Sequence, residues 1–307
     1  MKIFVTGGTG FIGSHLVKSL IKNNYDVTVY DNFSTSKDNL KSNIKNAADL
    51  IKGDIRDFDF IVDSLKGSEC VIHLAAKISV QESISNPSET FDVNVNGTKN
   101  LLDACKKNNV SKFITTSTAA VYGRCDRLPI SEDHPLQPIS PYGQSKLEME
   151  NMLKSYSKKH NLDSIILRPF NVYGRSQSKE YAGVISKFIE NIQQNKPLVI
   201  YGDGSFTRDF VHIDDVVTAF TLSISHIQAK RAETYNIATG QKTSINSIAK
   251  MMLDISGKEL DIIYKPSKEG DIPHSQADIT KAKKELEYFP KINLQNGLKD
   301  LLDQISE

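Results

Sequence analysis

Tyr142 and Lys146 stand four residues apart, and Ser140 and Pro141 before them look like the N-cap and first position of a helix. That spacing puts both side chains on one helix face. A lysine charge there favours phenolate over phenol and draws the tyrosine pKa from about 10 toward neutrality, so Tyr142 could serve as general base or acid at physiological pH. With 11 tyrosines in the chain, about one such pair is expected by chance, so the spacing needs company. Ser117 and Thr118 supply some. The run Ile114, Thr115, Thr116, Ser117 reads as a strand that carries hydroxyls to the carboxyl end of a parallel sheet, where ligands of such sheets bind. Either hydroxyl could hydrogen-bond a reacting oxygen beside Tyr142.

A second constellation opens the chain. MKIFVTGGTGFIG is an apolar strand, a glycine turn and a helix start, and Gly8, Gly10 and Gly13 satisfy G-x-G-x-x-G. Glycines let backbone approach a pyrophosphate, and the helix amino terminus turns free N–H groups and a positive dipole end toward it. The second strand ends in Asp31, whose carboxylate can accept hydrogen bonds from both adenosine ribose hydroxyls. Asn32, Phe33, Ser34 and Thr35 follow, with no arginine for a 2′-phosphate, which selects NAD over NADP.

These residues require a scaffold, and the chain has the rhythm of one. Residues 2 to 6, 26 to 30, 48 to 52, 69 to 74, 112 to 117 and 163 to 168 are strand candidates, separated by amphipathic stretches such as 10 to 22, 89 to 108 and 142 to 160. Alternation of this kind predicts an α/β fold with a doubly wound parallel sheet, and six strands match two mononucleotide-binding halves. After about residue 170 the rhythm loosens. Strands near 198 to 201, 207 to 211 and 234 to 238, and helices near 181 to 194, 213 to 228, 243 to 255 and 294 to 305, predict a smaller lobe packed around a cleft, with some segments crossing back.

At 307 residues, 39% hydrophobic and 24% charged, the chain can bury a sizeable core. A formal net charge of +1 leaves no excess to steer it toward nucleic acid or an anionic membrane. Cys70, Cys105 and Cys125 are odd in number and lack metal-ligand spacing, which argues against a disulfide framework or metal site and fits a reducing cytoplasm. The amino-terminal apolar run is too short for a signal peptide, and no later stretch approaches a membrane span.

Taken together the motifs resemble those of the extended short-chain dehydrogenase/reductases, in the NAD-dependent epimerase/dehydratase family, and within it the UDP-glucose 4-epimerases. The likeness runs along essentially the whole chain, through TGGTGFIGSHL (6–16), YDNFSTS (30–36), GDIRD (53–57), HLAA (73–76), NVNGTKNLL (94–102), STAAVYG (117–123), SPYGQSK (140–146), RPFNVYG (168–174), GDGSFTRDFVHIDDV (202–216) and GDIPHSQAD (270–278). It implies a Rossmann-type NAD-binding domain over 1–170 and a mainly nucleotide-sugar-binding lobe over 171–307. Thr118, Tyr142 and Lys146 take the catalytic positions, with Thr118 also touching substrate. Cofactor contacts are implied for Gly7, Gly10, Phe11, Ile12 and Gly13 in the turn, and for Asp31, Asn32, Ser34 and Ser36 beyond the second strand. Asp54 and Ile55 fall at the adenine, Leu74, Ala75 and Ala76 along the cofactor, and Asn94, Ser117, Tyr142, Lys146 and Phe170 complete that set. Asn171 and Arg208 are implied for the diphosphate and Asp271 for the uridine ribose. Lys268 stands where the family usually has arginine, keeping the charge but losing the planar fork.

The resemblance implies inversion at C4 of a UDP-hexose through a 4-keto intermediate, with NAD regenerated in each turnover. A 4,6-dehydratase on the same scaffold looks for an acidic residue after the catalytic threonine, where this chain has Ala119 and Ala120. A UDP-glucuronate epimerase or decarboxylase is the other enzymatic alternative, and a non-catalytic NAD-binding sensor would lack Tyr142 or Lys146. A small Ser275 near the sugar's C2 substituent implies room for an N-acetyl group, hence UDP-GlcNAc/UDP-GalNAc beside UDP-glucose/UDP-galactose. A homodimer built on the helices at 89 to 108 and 142 to 160 is implied as well.

Overall fold

In the computed structural model of the chain, residues 1–35, 48–177, 183–227, 232–267 and 271–303 are described. Seven strands form one parallel sheet: β1 (Lys2–Thr6), β2 (Asp26–Asp31), β3 (Asp49–Lys52), β4 (Cys70–His73), β5 (Lys112–Thr116), β6 (Asp163–Pro169) and a late arrival at Ala232–Ile237. Because the sheet is covered on both faces, its inner strands are buried along nearly their whole length. Alternate residues supply two cores. Ile3 and Val5 point to one with Leu16, Val17 and Leu20 of α1 (Phe11–Lys22), whereas Phe4 points to the other with Leu101 and Leu102 of the helix at Gly97–Lys107 and Leu153 of the long helix at Pro141–His160.

The spatial order runs from the late strand through β6, β5, β4, β1 and β2 to β3. The late strand falls in a region expected to belong to the smaller lobe. Pairing extends the ladder from Ala232↔Ser164 to Ile237↔Pro169, burying its last four residues. The helix at Ile213–His226 also crosses back, bringing Val216, Ala219 and Phe220 into the core of α1. The smaller lobe keeps its own core, including Phe188, Leu198, Phe210, Met252 and Leu298.

Two other expectations need correction. The stretch 89–108 is helical but not one α-helix: Pro87–Phe91 and Gly97–Lys107 flank a π-helical turn at Asp92–Asn96. The strand expected at 207–211 is two strands in different sheets, Thr207–Arg208 against Thr243–Ser244 and Phe210–His212 against Asn171–Tyr173, with Asp209 at the change of partner. Short helices at Phe58–Ser64, Val80–Ser85 and Thr280–Glu285 and a strand at Ile262–Lys265 were not anticipated, being too brief for a clear period.

Candidate active site

The carboxyl ends of β1, β2, β4 and β5 lie side by side, with Thr6 opposite both Tyr30 and His73 and His73 opposite Thr115. β1 stands between β4 and β2, so the order in which strands are added to the sheet reverses there, the place where ligands of such sheets bind. The glycine turn rises from β1 at this place. Gly7 has φ +69°, and a Cβ on it would come 2.6 Å from Ala75 N; a Cβ on Gly13 would come 2.1 Å from Gly7 O. The turn is therefore compressed against the loop after β4 and against its own helix. No side chain caps α1 at Gly10, so the amides of its first turn, including Phe11, Ile12 and Gly13, are left for an outside acceptor.

Asp31 lies at the mouth of the turn, accepting from Thr9 N at 3.0 Å and Phe33 N at 2.8 Å. Both bonds fix the carboxylate while leaving lone pairs for a ribose. Asn32 donates to Asp54 at 3.1 Å, and Ser34 N donates to Asn32 Oδ1 at 3.0 Å. Side-chain hydrogen bonds from Arg56 hold the Asp54 carboxyl well below its usual range, and Ile55 is buried against Gly97. Leu74 and Ala75 donate backbone N–H groups to Thr6 Oγ1, with Ala76 next along the same loop. A glycine cradle closed to a Cβ at Gly7 and Gly13, free helix-start amides and an anchored acid fit a dinucleotide. Ser36 lies outside the described residues.

The helix at Pro141–His160 begins as its sequence suggests: Ser140 caps it by accepting from Gly143 N at 3.1 Å, and Pro141 follows. A Cβ at Gly143 would meet Ala120 O at 2.9 Å, so glycine lets the helix start close against the wall carrying Thr118. Thr118 caps the short turn Ala119–Val121, accepting from Ala120 N at 3.2 Å. Ser117 continues the ladder through its N–H to Leu167 O at 2.6 Å. Lys146 is buried and its Nζ donates to Thr116 O at 3.1 Å.

One electrostatic expectation is reversed. Burial pushes the Tyr142 phenol up to about 12, with only a hydrogen bond from Thr118 pulling it back. The lysine does not bring it to neutrality in the protein alone, and burial separately pulls Lys146 down to about 8, with Glu150 working against that pull. Losing solvent penalises both charged forms at once. A phenolate here calls for a further positive charge in the crevice.

Asn94, whose place by resemblance is beside the cofactor, also joins two segments of the protein. It sits in the π-helical turn, donates Nδ2 to Lys77 O at 2.9 Å and Ser145 Oγ at 3.0 Å, and accepts from Lys77 N at 2.8 Å. Both donor hydrogens are thus committed to clasping the loop after β4 to the helix between Tyr142 and Lys146. Sequence reasoning also missed the buried pair Arg168 and Glu150, joined at 2.8 and 2.6 Å. An arginine inside a fully buried strand is a signal that could have found it, because such a charge must be paired.

A cavity of about 300 Å³ opens in the smaller lobe, with Asn171, Arg208 and Asp271 on its wall beside Tyr201 and Phe206. Burial lowers the Arg208 pKa against the opposing charge of Asp271. Arg208 Nη1 donates to Thr207 O at 2.9 Å and Pro273 O at 3.3 Å, leaving other guanidinium N–H groups for an anion. Ser275 is buried off that wall, with its N–H on Thr207 O at 3.1 Å, and Phe170 is buried with its N–H on Ile237 O at 3.0 Å. Lys268 lies outside the described residues.

Residues 3–238 match the model of the NAD-dependent epimerase/dehydratase family. A Methanocaldococcus jannaschii protein that carries the provisional name UDP-glucose 4-epimerase is 41% identical over 304 residues, covering 98% of this chain and 97% of its own. The UDP-glucose 4-epimerase of Thermotoga maritima, solved with UDP-glucose, superposes with a TM-score of 0.94 at 38% identity, covering 100% of this chain and 99% of that one. A UDP-N-acetylglucosamine 4-epimerase of Methanobrevibacter ruminantium, in complex with UDP-N-acetylmuramic acid, follows at 0.92 and 35%, covering 98% and 97%.

Proposed function

The chain belongs to the NAD-dependent epimerase/dehydratase family, and from that premise we propose that it inverts C4 of a UDP-hexose, interconverting UDP-glucose and UDP-galactose. Bound NAD supplies a reversible two-electron acceptor at C4 and the positive charge that the Tyr142 pocket calls for. Tyr142 takes the proton of the 4-hydroxyl as C4 is oxidised, and returns it once the ketone has turned over. Thr118 hydrogen-bonds the same oxygen, and Lys146 keeps the phenolate charge balanced. Arg208, Asn171 and Asp271 hold the UDP end, so that the sugar ring can rotate without leaving. The observation that carries this reading is Thr118 beside Tyr142 with Ala119 and Ala120 next to it: the wall offers a proton path at C4 and no carboxyl group for eliminating water.

Incubation with UDP-galactose is expected to give UDP-glucose with no net reduction of NAD. A 4-keto-6-deoxy sugar product would instead make the chain a dehydratase. We further read Ser275 as setting the room around C2, through the segment it shares with Asp271, so UDP-GalNAc should turn over as well. Ser275→Tyr should then lower activity on UDP-GalNAc relative to UDP-galactose by roughly tenfold or more, the scale of a lost apolar fit. An unchanged ratio would remove Ser275 from specificity.

A second copy of the chain is the partner we expect, paired through the helices at 87–107 and Pro141–His160. Exposed Ile78, Val80 and Ile84 flank the latter and are apolar surface that such a partner would cover. Sedimentation at the mass of one chain would dismiss the dimer. No helix among the described residues is long and apolar enough to cross a membrane, and the free cysteines, two of them buried, suit the cytoplasm we assign.

A further inference from the structure

Between the two short strands that carry Arg208 and Phe210 sits an aspartate with no exposed surface. Asp209 Oδ1 accepts from Thr239 N at 2.9 Å and Thr239 Oγ1 at 2.6 Å, and Oδ2 accepts from Gly240 N at 2.9 Å and Ala277 N at 3.2 Å. Its own carbonyl accepts from Asn171 N at 3.0 Å. Gln276 closes the cluster by donating to Gly240 O at 2.8 Å. One residue therefore joins four segments: the strand holding Arg208, the strand starting at Asn171, the turn after the late strand of the large sheet, and the segment leading from Asp271 through Ser275 to Ala277.

A buried carboxylate is costly unless its lone pairs are filled, and four donors fill these. The donors come from segments that share no ladder with Asp209, and its neighbour Arg208 reaches the same distant segment through Pro273 O. We propose that Asp209 is the positioning residue of the nucleotide-diphosphate site, fixing Arg208 and the 271–277 segment relative to Asn171. The inference rests on the reading of the 300 Å³ cavity as the place of the UDP group. It gives Asp209 no part in proton or hydride transfer, since four protein donors occupy its carboxylate.

Asp209→Asn keeps the shape but turns an NH₂ group toward a backbone donor, so at least one of the four bonds fails. The expected result is UDP binding weakened by roughly 10- to 100-fold in titration calorimetry, the range for an unpaired buried polar contact. KM for UDP-galactose should rise with it while kcat stays within about threefold, the signature of lost uniform binding. NAD content and helical circular dichroism should match the unmodified protein. A folded variant whose UDP affinity stays within about twofold of the unmodified protein would overturn the role of Asp209 while leaving the UDP reading intact. Failure of the unmodified protein to bind UDP would overturn both. If Asp209→Asn does not fold, Thr239→Val serves, since it deletes a single donor at the edge of the cluster. A roughly threefold or greater loss of UDP affinity is then expected, and an unchanged affinity overturns the proposal.

Discussion

Tyr142→Phe is expected to lower kcat by roughly 10³-fold while UDP and NAD remain bound, because general acid-base catalysis is worth about 10² to 10⁴ and the phenol is the group that Thr118 hydrogen-bonds. The change removes one oxygen and leaves the ring to pack as before, so retained binding separates lost chemistry from lost structure. The electrostatics sharpen the expectation. Alone in its buried setting the phenol stands at about 12, so at neutral pH it is a proton donor rather than a base. Lys146, lowered to about 8, is mostly protonated at pH 7 and loses its charge as pH rises past that value. The phenol thus becomes a useful base when a cationic nicotinamide adds to the lysine charge. The kcat of the unmodified enzyme should rise with pH as the phenol ionises, and the phenylalanine variant should lose that rise. A variant within tenfold of full activity would shift proton transfer to Thr118 or to water.

Gly13→Ala is expected to strip the protein of its cofactor. The new Cβ would lie 2.1 Å from Gly7 O and 2.7 Å from Gly8 Cα, both backbone atoms without freedom to move aside. Either α1 slides outward or the turn opens, and each displaces the uncapped amides of the helix start. Overpacking of this kind costs about 1–3 kcal/mol of stability. The loss in NAD affinity should be on the order of 100-fold, as several backbone contacts shift together. Gly10→Ala is the internal comparison, since its Cβ would meet only Gly7 O at 3.3 Å. Cofactor content of the purified proteins, read after denaturation, checks both. Full NAD occupancy in Gly13→Ala would mean that the turn does not grip the pyrophosphate.

Much of this site was legible because its parts are close in the sequence or repeat at fixed intervals. The strand, turn and helix of residues 2–22 follow from apolar period and glycine placement, and Asp31 follows from where the next strand ends. The helix start at Ser140 and Pro141 follows from capping chemistry, and the spacing of Tyr142 and Lys146 places them on one face of it. Other features are invisible to any local rule. Nothing in residues 232–237 announces that they pair with β6 rather than with the strands of the smaller lobe, since periodicity names a strand and not its neighbour. The clasp made by Asn94 depends on a π-helical turn that no composition signals.

By itself, then, the sequence determined the kind of chemistry: a dinucleotide turn, a tyrosine with its lysine, and a threonine followed by alanines. The tertiary structure decided how those groups are set, including the upward shift of the Tyr142 phenol, the burial of Lys146 on Thr116 O and the gathering of four segments by Asp209. The division has a physical basis. Helix faces, caps and turns are fixed by bonds between residues near one another in the chain. Burial and long-range hydrogen bonds exist only once distant segments have excluded water from between them, and these set a pKa or hold an arginine in place.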